Sequence, residues 1–338
     1  MTQPYRPPYK LTPALLHLVA EIAERIGHYA ALDASALSPR LRKNNRLRSI
    51  HASLAIENNT LSLEQVTAVI EGKKVFGLPR EIQEVRNAYA AYEQLSGWQA
   101  TSRDDLLAAH ALMMSGLVDR PGEFRSGSVG VFKGKELLHL APAAERVPQL
   151  MDDLFSWLKN TDEHPLIASS VFHYEFEFIH PFPDGNGRLG RLWQTLILSG
   201  WKPLLAFLPV ETVIHDRQEE YYRMLAAADV QGEATPFVEF MLQALRSATE
   251  QAVANDPEGT KSGPSRDQVE ILRNCLEAMP ISELLISAER TNRTKFRDQI
   301  INPLIEQGLL EMTVPEKPRS SRQKYRTTEK GKAVLTSR

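Results

Sequence analysis

The sequence contains one cysteine, Cys275, in 338 residues. This excludes an intrachain disulfide framework and any zinc module built on paired thiolates, and it fits a reducing compartment, so the cytoplasm is the expected location. Long apolar runs are missing as well. Nothing approaches the roughly 18 apolar residues of a membrane span, and Met1–Lys10 (MTQPYRPPYK) has no apolar stretch of the kind a secretion signal carries. No membrane partner is expected. Charge of one sign is not in excess: 40 Lys and Arg face 42 Asp and Glu, for a net charge of −2. Such a chain has no overall field to draw it onto nucleic acid or anionic lipid, so any such partner must be held by a local patch. Internal repeats and low-complexity tracts are absent, which sets solenoids and disorder aside. What remains is an ordinary globular composition, 42% hydrophobic and 24% charged. At this length about 75% of the unfolded surface can be buried, in two or three packed units.

From Thr12 to about Trp201 apolar residues recur three and four apart, as in LTPALLHLVAEIAERI, VRNAYAAYEQL, RDDLLAAHALMMSGL and VPQLMDDLFSWLKN. This spacing predicts a mainly α body. Ser62 is the expected N-cap of a helix that follows Asn58-Asn59-Thr60-Leu61, and Gly200 reads as a helix C-terminus. One segment departs from the helical period. Ser128–Leu140 (SVGVFKGKELLHL) predicts short strands at Val129–Phe132 and Leu137–Leu140 around Lys133-Gly134-Lys135-Glu136, a small hairpin that must lean on the body. At 256–264 the composition shifts to turn formers and a linker is expected. This divides the chain into an N-terminal helical region (1–110), a core (111–255) and a C-terminal domain (265–338). Residues 260–338 carry 15 Lys and Arg against 10 Asp and Glu, a balance of +5 that leaves −7 for residues 1–259. The order in this last part is three helical runs, a strand-like LLEMTV, a basic Pro-containing loop and KYRTT, the order of a winged helix-turn-helix.

The densest chemistry lies in His180-Pro-Phe-Pro-Asp-Gly-Asn-Gly-Arg-Leu-Gly-Arg191. Gly185-Asn186-Gly187 is a bend whose bare backbone can come close to a ligand, and a helix is expected to start at about Arg188. Amide N–H groups and the positive helix end would converge there on an anion. Arg188 and Arg191 lie three apart on that first turn, so both forks can face the same phosphates. The candidate phosphate-facing set is therefore Gly185, Asn186, Gly187, Arg188, Leu189, Gly190 and Arg191. Asp184 is a lone carboxylate at the mouth, suited to holding Mg²⁺ with phosphate oxygens completing the shell. His180 is the group fitted to take a proton from a hydroxyl near neutral pH. The spacing Gly185-x-Gly187-x-x-Gly190, with Glu211 further on, also meets the dinucleotide fingerprint, but that motif must follow a strand, and ASSVFHYEFEF before it is helical by spacing. His173 and Glu177, four apart, read as a structural helix face because the second histidine of a metal-binding helix is missing. A Walker-type phosphate loop is absent.

This segment resembles the Fic (filamentation induced by cAMP) family, whose signature His-x-Phe-x-(Asp/Glu)-Gly-Asn-Gly-Arg-x-x-Arg is met here at every defined position. The resemblance extends through Pro121-Gly-Glu-Phe-Arg125, the hairpin and Tyr221-Tyr222-Arg223, over roughly residues 40–250. It implies a Fic-type helical bundle in which the hairpin is a flap that aligns a target protein by strand pairing. The implied activity is transfer of AMP from Mg-ATP to a Ser, Thr or Tyr hydroxyl of that target, or of the chain itself. The implied roles are His180 as base, Asp184 on Mg²⁺, Asn186 and the Gly185 and Gly187 amides on phosphates, and Arg188 on the β- and γ-phosphates. Tyr222 resembles the residue that reaches the adenine, although ordinary helix packing accounts for it equally well.

Ser53 and Glu57 in RSIHASLAIEN are four apart and share a helix face. With Asn58 they resemble the family's inhibitory motif, (Ser/Thr)-x-x-x-Glu-(Gly/Asn), on a helix expected at about 46–58. The motif implies that Glu57 pairs with Arg191 and puts a carboxylate where the γ-phosphate must lie. The same glutamate is implied in removal of AMP. A homodimer is a further implication of the resemblance. A reading from a different class makes the chain a nucleotide-sensing DNA-binding regulator, on the strength of Arg290, Arg293, Lys295 and Arg297 at the expected recognition helix and Arg319, Arg322, Lys324 and Arg326 in the wing.

Overall fold

The computed structural model describes residues 5–31, 39–133, 136–254 and 266–336, save 289, 291, 307, 317–319, 321 and 322. The chain divides into two compact units, 1–256 and 257–338. The linker expected at 256–264 lies outside the described residues.

The first unit is helical, with helices α1 (Pro13–Ala31), α2 (Pro39–Ile56), α3 (Leu63–Ile70), α4 (Pro79–Glu93) and α5 (Arg103–Met113). Next come strands β1 (Gly130–Lys133) and β2 (Glu136–Leu140), then α6 (Val147–Asn160), α7 (Pro165–Ile179), α8 (Asn186–Trp201), α9 (Val210–Asp216), α10 (Gln218–Gln231) and α11 (Thr235–Ala254). The central element is α7, where every residue from Leu166 to Phe176 is buried. Most of its residues are apolar, and α6, α8 and α11 pack around it. Its two serines inside the core, Ser169 and Ser170, both donate to the Leu166 carbonyl, so no polar group is stranded. Phe172, Phe176, Phe182, Trp193, Phe237 and Phe240 fill the space between these helices, and one hydrophobic cluster runs from Leu15 to Ala248.

Local signals in the sequence explain several boundaries. Ser62 caps α3 by accepting from the Gln65 amide, and the Gln65 side chain returns the bond to the Ser62 amide. α2 ends at Ile56, one residue before Glu57, and Asn58 makes the left-handed turn beyond it with φ 66°. Gly200 does not end α8, which continues through Trp201 and is closed by Lys202 in extended backbone. The hairpin is antiparallel, with Gly130 opposite Leu140 and Lys133 opposite Glu136 and an irregularity between Val131 and Phe132. Its turn residues Gly134 and Lys135 lie outside the described residues.

The N-terminal segment 5–12 crosses the first unit as a strap. Tyr5 donates its hydroxyl to Glu175 Oε2 on α7 at 2.7 Å, the Pro8 carbonyl accepts from the Ala234 amide at 2.7 Å, and the Lys10 amide donates to Thr235 Oγ1 at 2.9 Å. Burial pushes the Glu175 carboxyl up to about 7, the Tyr5 bond holding it back and the charge of Asp229 adding to the rise.

The second unit has its own core of Ile271, Leu272, Cys275, Leu284, Phe296, Ile301, Leu304 and Tyr325. Its order is α12 (Arg266–Asn274), β3 (Met279–Pro280), α13 (Ile281–Ser287), α14 (Arg293–Phe296), a π-helical stretch Arg297–Ile301, α15 (Asn302–Glu306), β4 (Leu310–Met312), β5 (Lys324–Thr327) and α16 (Glu329–Thr336). The sheet is antiparallel in the order β3-β5-β4.

Candidate active site

Chemistry concentrates where α7 gives way to α8. His180 ends α7 in the left-handed region, φ 48° and ψ 61°, while its amide still donates to the Phe176 carbonyl at 2.9 Å. That backbone is uncommon for a residue with a side chain and persists only where surrounding contacts hold it. Asn186 supplies part of the hold: its side chain accepts from the Phe182 amide at 2.9 Å and donates to the Phe182 carbonyl at 2.8 Å. One N–H and the oxygen of the Asn186 side chain are thereby committed to the loop. Gly185 precedes α8 with φ 87°, and a methyl there would lie 2.6 Å from the Met114 sulfur, so glycine is required twice over.

A residue with no signal in the sequence completes this frame. His110 on α5 is wholly buried and stacks on Phe182, ring centroids 3.7 Å apart and planes within 6°. Its Nδ1 accepts from the Gly122 amide at 2.8 Å, so its Nε2 carries the proton and donates to the Asp184 carbonyl at 3.0 Å. Burial pushes its pKa down to about 4, and the ring is neutral at pH 7. In sequence His110 falls in the same apolar stripe as Leu106 and Met113, where a histidine is indistinguishable from a packed one.

Beside the loop is a cavity of about 150 Å³ whose lining includes Glu57, His180, Gly187, Arg191, Tyr222 and Asp229. Residues from four elements thus meet: the end of α2, the turn after α7, the first two turns of α8, and α10. Arg191 is 2% exposed. Its Nη2 donates to Glu57 Oε1 at 2.7 Å and to the Ser53 carbonyl at 3.0 Å, and its Nε donates to Ser53 Oγ at 3.0 Å. Burial alone would pull the guanidinium down, but the charge of Glu57 together with Tyr221 and the Glu57 hydrogen bond keeps it above the ordinary arginine range. Glu57 also abuts the first turn of α8, since a methyl at Gly187 would overlap its Oε1. An anion therefore already occupies the positive end of α8. Asn58 is exposed and takes part only through its backbone turn.

Arg188 and Arg191 do not converge on one point. Arg188 donates to Asp184 Oδ1 at 3.0 Å and lies 3.4 Å from Glu84. Asp184 receives three donors, from Arg188, from Arg80 at 3.0 Å and from the Gly185 amide at 2.6 Å. Leu189 and Gly190 leave the phosphate-facing set. Leu189 is fully buried in the core and its amide is spent on the Gly185 carbonyl. Gly190 faces α7, where a methyl would come within 3.2 Å of His173 and 3.3 Å of Glu177 and Phe176, so its smallness serves helix packing. The dinucleotide reading has no strand to stand on, because α7 leads into the loop. His173 is a buried structural histidine, held by Gln194 at 2.7 Å and Tyr221 at 3.2 Å, with burial pushing its pKa down to about 3. Glu177 lies 4.0 Å from His180 Nδ1.

Comparison with known proteins agrees with this geometry. Residues 100–198 match the Fic/DOC family, and residues 267–328 match the C-terminal domain of Fic-like proteins (filamentation induced by cAMP). Protein adenylyltransferase fic-1 of Caenorhabditis briggsae is 32% identical over 63% of this chain and 42% of its own length. The Caenorhabditis elegans protein of that name is 30% identical over 67% and 44%. The chain thus spans less than half the length of these curated relatives. A crystal structure of a Fic family protein from Desulfovibrio desulfuricans G20 superposes with a TM-score of 0.73 at 59% identity, covering 96% of this chain and 99% of that one. With so complete a match to a solved structure of that family, and with its loop and cavity built on the same residues as the signature, the chain belongs to the Fic family.

Proposed function

We propose that this protein is an autoinhibited adenylyltransferase that moves AMP from ATP to a hydroxyl of a protein. One observation carries the reading: His180, Gly187 and Arg191 line a single cavity, and the anion occupying it is the chain's own Glu57. In the reaction, His180 takes the proton of the attacking hydroxyl, the new bond forms from that oxygen to the α-phosphorus, and the bond to the β-bridging oxygen breaks to release pyrophosphate. The Gly187 amide region and Arg191 cradle the triphosphate tail, and Arg188 meets the phosphates once Asp184 turns from it. Tyr222 and Asp229 line the same cavity, which supports their lying beside the base.

Asp184 fits a magnesium site of the one-carboxylate kind. It is partly exposed, one of its partners is the surface residue Arg80, and no group of three or more His, Cys, Asp or Glu positioned for a metal exists among the described residues. Asp184 would thus hold Mg²⁺ only together with phosphate oxygens, and the ion would offset charge building on the leaving pyrophosphate.

The brake acts by charge and by space. With Glu57 in place the cavity is about 150 Å³, below the roughly 300–1,000 Å³ of small-molecule sites. A coupling of about 1–3 kcal/mol between Glu57 and productive ATP would change turnover by about 5- to 150-fold. Glu57→Gly is expected to raise incorporation of labelled AMP into the chain, read by mass spectrometry, and His180→Ala in that background is expected to abolish it. Equal labelling of the parent and Glu57→Gly would remove the brake from the proposal.

The second unit supports a separate role in binding duplex DNA. Its element order and β3-β5-β4 sheet support a winged helix-turn-helix in which α14–α15 would be the reading helix. Arg293, Arg297 and Lys324 carry the charge, whereas Arg290 and Arg326 are paired with Asp267 and Glu311 at 2.9 and 2.7 Å. Arg319, Arg322 and the side chain of Lys295 lie outside what is described. Affinity for a random duplex that drops steeply between 50 and 200 mM salt (roughly, for several phosphate contacts) is the expected result.

A further inference from the structure

Arg125 is buried, 5% exposed, and no carboxylate among the described residues forms an ion pair with it; burial pulls its pKa down and only the charge of Glu145 opposes this. A buried cation without a contacting counter-ion is costly unless dipoles replace the lost water. Here four backbone carbonyls do so. Nε donates to the His180 carbonyl at 2.7 Å, Nη2 to the Ile179 carbonyl at 3.2 Å and to the Pro142 carbonyl at 2.5 Å, and Nη1 to the Gly127 carbonyl at 2.9 Å. The Arg125 amide adds a fifth link, to the Pro181 carbonyl at 2.9 Å.

These acceptors fall into two groups. Ile179 and His180 supply the carbonyls that α7 leaves open at its negative end, where a cation is favoured. Gly127 and Pro142 stand just before β1 and just after β2, and are the two feet of the hairpin; the Ala141 amide joins the feet through the Val129 carbonyl at 3.2 Å. A planar fork with fixed donor directions spans both groups as a flexible ammonium cannot. Loosening the side chain would release the left-handed backbone of His180 and the base of the hairpin together.

We propose that Arg125 is the positioning residue that sets the distance between His180 and the hairpin, fixing where a hydroxyl on a strand paired to the hairpin meets the imidazole. The proposal rests on the adenylyltransferase reading for its functional half, while its structural half stands apart from it. Arg125 touches neither substrate nor the reacting atoms. It acts through the frame, and nucleotide contacts made by α8 and α10 are independent of it.

The test uses the full chain carrying Glu57→Gly, with Arg125→Lys and Arg125→Met added separately. Hydrogen exchange followed by mass spectrometry is expected to show peptides spanning 126–129, 141–143 and 180–182 exchanging at least about tenfold faster in Arg125→Met, with α1 and α11 unchanged, because local opening is read by exchange. Faster exchange at only one of the two groups, or at neither, overturns the coupling whatever the activity of the protein. For the reaction, self-labelling under saturating ATP is expected to fall about 100-fold, the cost of a misplacement on the order of 1 Å, while ATP affinity measured by calorimetry changes less than about threefold. A parallel loss of ATP affinity would mean a merely structural role and overturn the positioning claim. Arg125→Lys keeps the charge and reaches fewer carbonyls; it decides the matter if Arg125→Met does not fold, with intermediate exchange expected at both groups. Coupled exchange in a chain that labels nothing would separate failure of the enzyme reading from failure of this one.

Discussion

At the scale of the residue, the loop depends on groups outside the signature. His110 holds the Asp184 carbonyl and the Gly122 amide with its two nitrogens, which only the neutral ring can do. Its pKa of about 4 lies below the unfolded value near 6.5, so its contribution is whole above that value and is lost as pH falls towards 4. Replacing it by phenylalanine would keep the stacking on Phe182 and strand two buried backbone groups, at about 1–3 kcal/mol each. His110→Phe is therefore expected to lower the urea midpoint markedly at pH 7 and to show less loss of stability than the parent between pH 6.5 and 4. A midpoint unchanged at pH 7 would mean the two bonds contribute nothing. The family signature was legible because its residues are contiguous, from His180 to Arg191. The roles of His110 and Arg125 were not, since their partners are peptide groups, and a carbonyl looks the same in any sequence. Leu189 and Gly190 misled for the related reason that a contiguous motif mixes residues facing the ligand with residues facing the core.

At the scale of the element, α2 carries buried polar residues four apart, Ser49 and Ser53, followed by Glu57 just past its end. Ser49 donates to Glu211 Oε2 at 2.9 Å, and Glu211 also receives the Tyr92 hydroxyl at 2.7 Å, so a buried carboxylate on α9 anchors this row at one end while Arg191 anchors it at the other. Gln218 ties the last carbonyl of the helix, that of Ile56, at 2.8 Å. Under the proposed autoinhibition, release of Glu57 therefore needs the second anchor to slip while the first stays in place. Ser53→Ala removes one of three bonds to Arg191, each to a charged group and worth about 1.5–3 kcal/mol; self-labelling is expected between that of the parent and that of Glu57→Gly. Labelling as low as the parent's would show that the serine does not hold the helix. The spacing of Ser53 and Glu57 was visible in the sequence, but Ser49 was not, because its partner lies 162 positions away. Short elements escaped similarly: β3 has two residues, too few for any period, and α16 was hidden among polar residues.

At the scale of the whole molecule, two separate hydrophobic clusters, one in each unit, imply two unfolding transitions. The pH dependence linked to Glu175 belongs to the first. Its folded pKa of about 7 stands above the unfolded value near 4.5, so the fold loses nothing below pH 4.5 and progressively loses stability as pH rises through 7. Glu175→Gln keeps an acceptor for Tyr5 and is expected to stabilise the first unit by up to about 3 kcal/mol at pH 8, with no change at pH 4 and none in the second transition at either pH. Calorimetry at the two values would show it, and an equal shift at both would disprove the link.

The strap formed by residues 5–12 reaches that carboxyl through Tyr5, whose donated bond favours the charged form while burial opposes it. Trimming those residues would remove a donor from the helix that ends at His180 and change how readily its carboxyl gives up a proton. A stretch of chain far from the loop in sequence would then bear, through one proton, on how firmly the turn at His180 is seated.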